Sequence, residues 1–115
     1  MARYLMLLHE NPATFAAMSP AELQAILEEY VRWSDALRQE GRLLQGEKLR
    51  DDGGRRLKQQ GGQVLVSDGP YAEVKDVVGG LFILSADSYD AAVALARTCP
   101  HLRYGEVELR AIEEV

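Results

Sequence analysis

Gly80-Leu81-Phe82-Ile83-Leu84 is the most strand-like run in the chain, and its reading as a central strand organises everything around it. Upstream, residues 3–9 with Tyr4-Leu5-Met6-Leu7-Leu8 predict a first buried strand. Asn11-Pro12 marks a break and one short helical turn, with Asn11 as cap and Pro12 at the first helical position. Ser19-Pro20-Ala21-Glu22 predicts a helix start: the serine hydroxyl can accept from the Glu22 amide, and Glu22 can reach back. Leu23, Ile26, Leu27, Tyr30, Trp33 and Leu37 then recur at three- and four-residue spacing, one apolar stripe that Gly41 ends.

Residues 42–49 predict a second strand, with Leu43-Leu44 its apolar part. Asp51-Asp52-Gly53-Gly54 leads into a hairpin of strands 55–60 and 63–67 around Gly61-Gly62, a pair suited to the positive φ of tight turns. Its first arm holds only Leu57 among polar residues, so Arg55, Arg56 and Lys58 predict an exposed edge guarded against aggregation. Residues 68–78 form a loop rich in functional groups. Downstream of residue 84, Asp87 is the expected cap of a last helix carrying Tyr89, Ala92, Val93, Leu95 and Ala96, closed by Pro100. Residues 106–112 alternate Val107, Leu109 and Ala111 with Glu106, Glu108 and Arg110, the period of a half-buried strand.

With the hairpin set aside, the order is βαββαβ, the split βαβ arrangement of a ferredoxin-like α+β domain. Two helices cover one face of such a sheet and leave the other apolar face open. A homodimer with facing sheets, a dimeric α/β barrel, is the expected answer. At 115 residues, 47% hydrophobic and 27% charged, residues 1–115 fit one domain whose core needs no disulfide or metal. A net charge of −5 with scattered bases argues against nucleic acid as partner. A lone cysteine, Cys99, suits the cytoplasm, and no apolar run is long enough for a membrane span.

Asp68-Gly69-Pro70-Tyr71-Ala72-Glu73-Val74-Lys75, followed by Gly79-Gly80-Leu81-Phe82, resembles the signature of the DGPF branch of the YCII-related family, with tyrosine where phenylalanine is usual. The first strand, the Ser19 helix start, Cys99-Pro100 and Glu106-Val107-Glu108-Leu109-Arg110 match in order, so the resemblance spans nearly the whole chain. It implies the ferredoxin-like fold and dimerisation. Family members close to YCII pair a helix histidine with an aspartate before the proline after the last helix. Aligning on the shared Arg-Leu-Leu puts Tyr30 and Cys99 at those positions, so that His–Asp mechanism is not carried over.

Asp68, His9 and Tyr30 are the catalytic candidates, and Tyr71, Glu73 and Lys75 the ligand-binding ones. Gly69 and Pro70 build a rigid turn that either only holds the loop or presents Asp68 to a cavity. Glu73 and Lys75, two apart, point to one side of an extended stretch, as a solvated ion pair or as an anchor for an anion. His9 ends the first strand, where the chain leaves the sheet, and reads either as a surface or capping histidine or as a group that exchanges protons. Tyr30 reads as core, with a hydroxyl that needs a partner if buried. His101 reads as a solvated loop residue, and Cys99 as a small buried hydrophobe. No ligand-spaced cluster calls for a metal, and no cofactor fingerprint is present. Two functions stay open: a cofactor-free enzyme doing acid–base chemistry on a small polar or anionic ligand, or a non-catalytic dimeric module that binds a ligand or partner.

Overall fold

The computed structural model describes residues 1–68 and 76–115. Gly69, Pro70, Tyr71, Glu73 and Lys75, the turn and the three ligand-binding candidates, lie outside the described residues. The elements are β1 (Ala2–Glu10), α1 (Pro12–Ala16), α2 (Pro20–Gln39), β2 (Leu43–Lys48), β3 (Arg55–Gln60), β4 (Gln63–Asp68), β5 (Val77–Ala86), α3 (Tyr89–Ala96), a 3-10 turn (Pro100–Arg103) and β6 (Gly105–Ala111).

Four antiparallel strands form one sheet in the order β2-β5-β1-β6, and β3 with β4 forms a separate two-stranded sheet. Without the hairpin this is the ferredoxin-like βαββαβ topology, with β5 and β1 central. Alternation along β1 sends Tyr4, Met6, Leu8 and Glu10 to the helix-covered face, where the apolar members pack with Leu43, Leu84, Leu37, Ala92 and Ala96. Trp33 of α2 meets the Phe82 ring edge-on at 5.2 Å, and that ring lies over Gly46, where any side chain would collide with it. The opposite parity puts Leu5 across from Ile83 and Leu7 across from Leu81 on the face that no helix among the described residues covers.

Local rules account for the helix starts. Ser19 accepts from the Glu22 amide and Glu22 returns the bond, a complete capping box, while Asn11 caps α1. The last helix corrects two expectations. Ser88, not Asp87, caps α3, accepting from the Ala91 amide at 3.1 Å. Pro100 does not close that helix, which has already ended at Ala96, but opens the 3-10 turn instead.

The α2 stripe is also narrower than its spacing suggests: Ile26 and Leu37 are buried, but Leu23 and Leu27 are exposed. At 100° per residue Ile26, Tyr30, Trp33 and Leu37 share one line, from which Leu27 lies about 90° away. Gly61 and Gly62 take φ of 59° and 79°, as the two-residue turn requires. The valines and leucine of β4 are nevertheless exposed, because the hairpin stands away from the core.

Candidate functional site

The side chains that converge lie where β1 ends, beneath α2 and the 3-10 turn. His101, expected in solvent, is 1% exposed, because the turn that Pro100 starts folds back over the end of β1. Both its ring nitrogens are bonded. Nε2 faces the His9 carbonyl at 2.9 Å, and since a carbonyl only accepts, Nε2 carries the proton. In the neutral ring Nδ1 is then the acceptor for the Tyr30 hydroxyl, also at 2.9 Å. Tyr30 has thereby found the partner that its burial demands. Gly105 makes the approach possible, since a Cβ there would overlap the His9 carbonyl oxygen and stand 2.9 Å from Nε2.

Tyr30 and Cys99 both influence this cluster as neutral groups. Burial raises the Tyr30 hydroxyl far above its ordinary value, with Cys99 and Glu10 adding to the effect. Burial likewise pushes the Cys99 thiol up to about 11, against a hydrogen bond from the His101 backbone. The two positions aligned with the histidine and aspartate of YCII-like proteins therefore adjoin, but hold an uncharged phenol and an uncharged thiol. Cys99 is the buried hydrophobe expected of it.

Glu10 is the ionisable group that the sequence reading missed. It is 8% exposed on the helix-covered face. Burial raises its carboxyl above the ordinary 4.5, with Asp51 adding and with Lys48 and His101 opposing. Among the described residues, no side chain forms a hydrogen bond or ion pair with it. The register between β1 and β5 slips at this point: Leu8 pairs with Gly80 and His9 with Val78, leaving Gly79 as a bulge. The Glu10 carboxylate packs on that glycine, so closely that a Cβ at Gly79 would overlap it. Gly79 in turn lines a cavity of about 560 Å³, with Arg50, Asp51, Asp52, Arg56 and Asp76 around it. One signal in the sequence pointed here, the alternation Tyr4, Met6, Leu8, Glu10, which places residue 10 inward and residue 9 outward.

That same alternation separates two of the catalytic candidates. The His9 ring lies on the uncovered face, 2.8 Å from Glu108 Oε1, whereas Tyr30 lies on the helix side. Among the described residues they are linked through His101, to which His9 contributes its backbone oxygen. Asp68 ends β4 with its side chain in solvent, 3.2 Å from Arg55 Nε, and touches neither of them. Among the described residues no group of three His, Cys, Asp or Glu side chains could hold a metal ion. No helix among them is long and apolar enough to cross a membrane.

Fold and site together define a ferredoxin-like α+β domain with a carboxyl group buried at the end of its first strand. The YCII-related domain family matches residues 2–115, and the chain belongs to that family. No curated protein matches it. Among solved structures it is similar to 5-chloro-2-hydroxyhydroquinone dehydrochlorinase from Burkholderia phenoliruptrix in complex with 2,5-dihydroxybenzoquinone. The two are 16% identical, over 98% of this chain and 95% of that one, with a TM-score of 0.48.

Proposed function

We propose that residues 1–115 form one domain and act as a small enzyme that moves a proton on a small anionic substrate held in the cavity beside Glu10, without a cofactor. One observation carries the reading: the carboxyl of a buried residue, its pKa raised by that burial, packed on a glycine of the cavity wall. An ordinary carboxylate is a weak base at neutral pH, and burial strengthens it. In the proposed step, a substrate C–H bond beside a carbonyl breaks, its electron pair stays on the substrate as an enolate, and the proton forms an O–H bond on Glu10. The acid then returns the proton to the substrate. Arg50 and Arg56 at the cavity are the cations for the substrate's carboxylate. Tyr30 and His101 act behind Glu10, holding the end of β1 in place through the His9 carbonyl.

Pyruvate is a suitable probe, being an anion with an exchangeable C–H next to a carbonyl. In D2O the protein should speed deuterium uptake into its methyl group, and Glu10→Gln should abolish that rate. Amide shifts at Val78 and Gly79 on adding pyruvate should accompany it. Exchange that persists undiminished in Glu10→Gln would refute the role of Glu10.

Assembly belongs to the same reading. The uncovered face presents Leu5, Leu7, Leu81 and Ile83 between polar borders, and a second copy packed there would form the dimeric barrel. A second function, that of a non-catalytic interaction module, is favoured by the exposed hairpin, whose apolar residues face solvent.

A further inference from the structure

The β3–β4 hairpin is the least self-sufficient part of the fold. All twelve of its strand residues are exposed. The pairing of Leu57 with Val66 and Gln59 with Val64 puts Leu57, Val64 and Val66 on one face with Arg55, Gln59 and Asp68, the three apolar residues at 67%, 63% and 62% exposure. Arg56, Lys58, Gln60, Gln63 and Ser67 take the other face, accompanied by Leu65. An isolated two-stranded hairpin is marginal in water, and this one turns three large apolar side chains of one face to it. The chain's radius of gyration is 16.2 Å, against about 13 Å for a compact domain of this length, as a projecting arm requires.

Charge indicates what covers it. Segment 55–68 carries Arg55, Arg56 and Lys58 against Asp68, a net +2, so the chain total of −5 leaves −7 on the rest. The arm is basic and the body that bears it is acidic. On the uncovered sheet face, Glu47 is aligned with Leu81, Glu106 with His9 and Glu108 with Leu7, so acidic residues border the apolar centre. Six residues per strand give the arm a reach of about 20 Å, more than the ~14 Å across four strands.

We propose that the hairpin is an arm that clasps a second copy of this chain. Leu57, Val64 and Val66 pack on the second copy, and the arm's net positive charge, carried by Arg56 and Lys58 on its other face, favours the approach to an acidic body. The inference rests on the homodimer reading above and adds a contact which that reading does not need.

Sedimentation equilibrium of the full chain, with and without Leu57→Thr, Val64→Thr and Val66→Thr together, tests it. Threonine keeps strand propensity, and circular dichroism checks the fold. The expected result is a wild-type dimer and a variant whose dimer Kd is at least ten-fold weaker. A dimer of unchanged Kd in the variant overturns the arm and leaves the facing-sheet dimer standing. A wild type that stays monomeric at 100 µM overturns both. Hydrogen exchange at the Val64, Leu65 and Val66 amides supplies a readout independent of the variant. These amides should exchange at least ten-fold more slowly in concentrated than in dilute protein, and rates equal at both concentrations overturn the proposal.

Discussion

Gly79→Ala probes the contact on which the site reading depends. A methyl group at residue 79 would overlap Oε1 and Cδ of Glu10 and stand 3.0 Å from Oε2, whereas an unstrained contact needs about 3.5 Å. The carboxylate has to move by roughly an ångström, or the bulge has to open. Overpacking of this kind costs about 1–3 kcal/mol. For a chain of this length, that lowers the melting temperature by about 4–12 °C. Urea unfolding of wild type, Gly79→Ala, Glu10→Ala and the double variant closes a cycle. With the side chain of residue 10 cut back the new methyl has room, so the same Gly79→Ala change should cost less than about 0.5 kcal/mol. A coupling of at least about 0.5 kcal/mol is expected, within the range for residues in contact. Equal costs in both backgrounds would show that Glu10 does not lie against Gly79, and the site would lose its wall.

The remaining predictions use the same few groups. The native state binds the Glu10 proton more tightly than the unfolded chain does, so stability from this group is present in acid and is lost as pH rises from 4.5 through its higher folded value. Glu10→Gln should therefore stabilise the protein at pH 7 and flatten stability against pH above 4.5; a variant less stable at pH 7 and as pH-dependent as wild type contradicts the burial argument. Tyr30→Phe leaves His101 Nδ1 without its donor and should cost about 1–2 kcal/mol in urea unfolding. His101→Ala also frees the His9 carbonyl and leaves a cavity, so it should cost more, about 3–5 kcal/mol. With its thiol pushed up to about 11, Cys99 is roughly one part in ten thousand thiolate at pH 7 and should resist iodoacetamide until the protein unfolds. Labelling of the native protein as fast as a free thiol would contradict its burial.

The secondary structure was legible because local chemistry decides it. Ser19-Pro20-Ala21-Glu22 can start a helix wherever it sits, Gly61-Gly62 can turn a hairpin, and a period of two marks β1 and β6. The βαββαβ order follows from those elements, and so does the uncovered sheet face, since two helices cannot cover both sides. Long-range placement was not legible. His101 looked solvated from its neighbours in sequence, and only the return of the 3-10 turn over β1 buries it between Tyr30 and the His9 carbonyl. The exposure of Val64, Leu65 and Val66 was equally hidden, because an apolar strand says that it needs cover and not where that cover is. Glu10 lies between these cases. Alternation alone turns it inward, but the bulge at Gly79, the cavity beyond it and the loss of water that strengthens its carboxyl as a base all come from strands brought together across nearly seventy residues of chain.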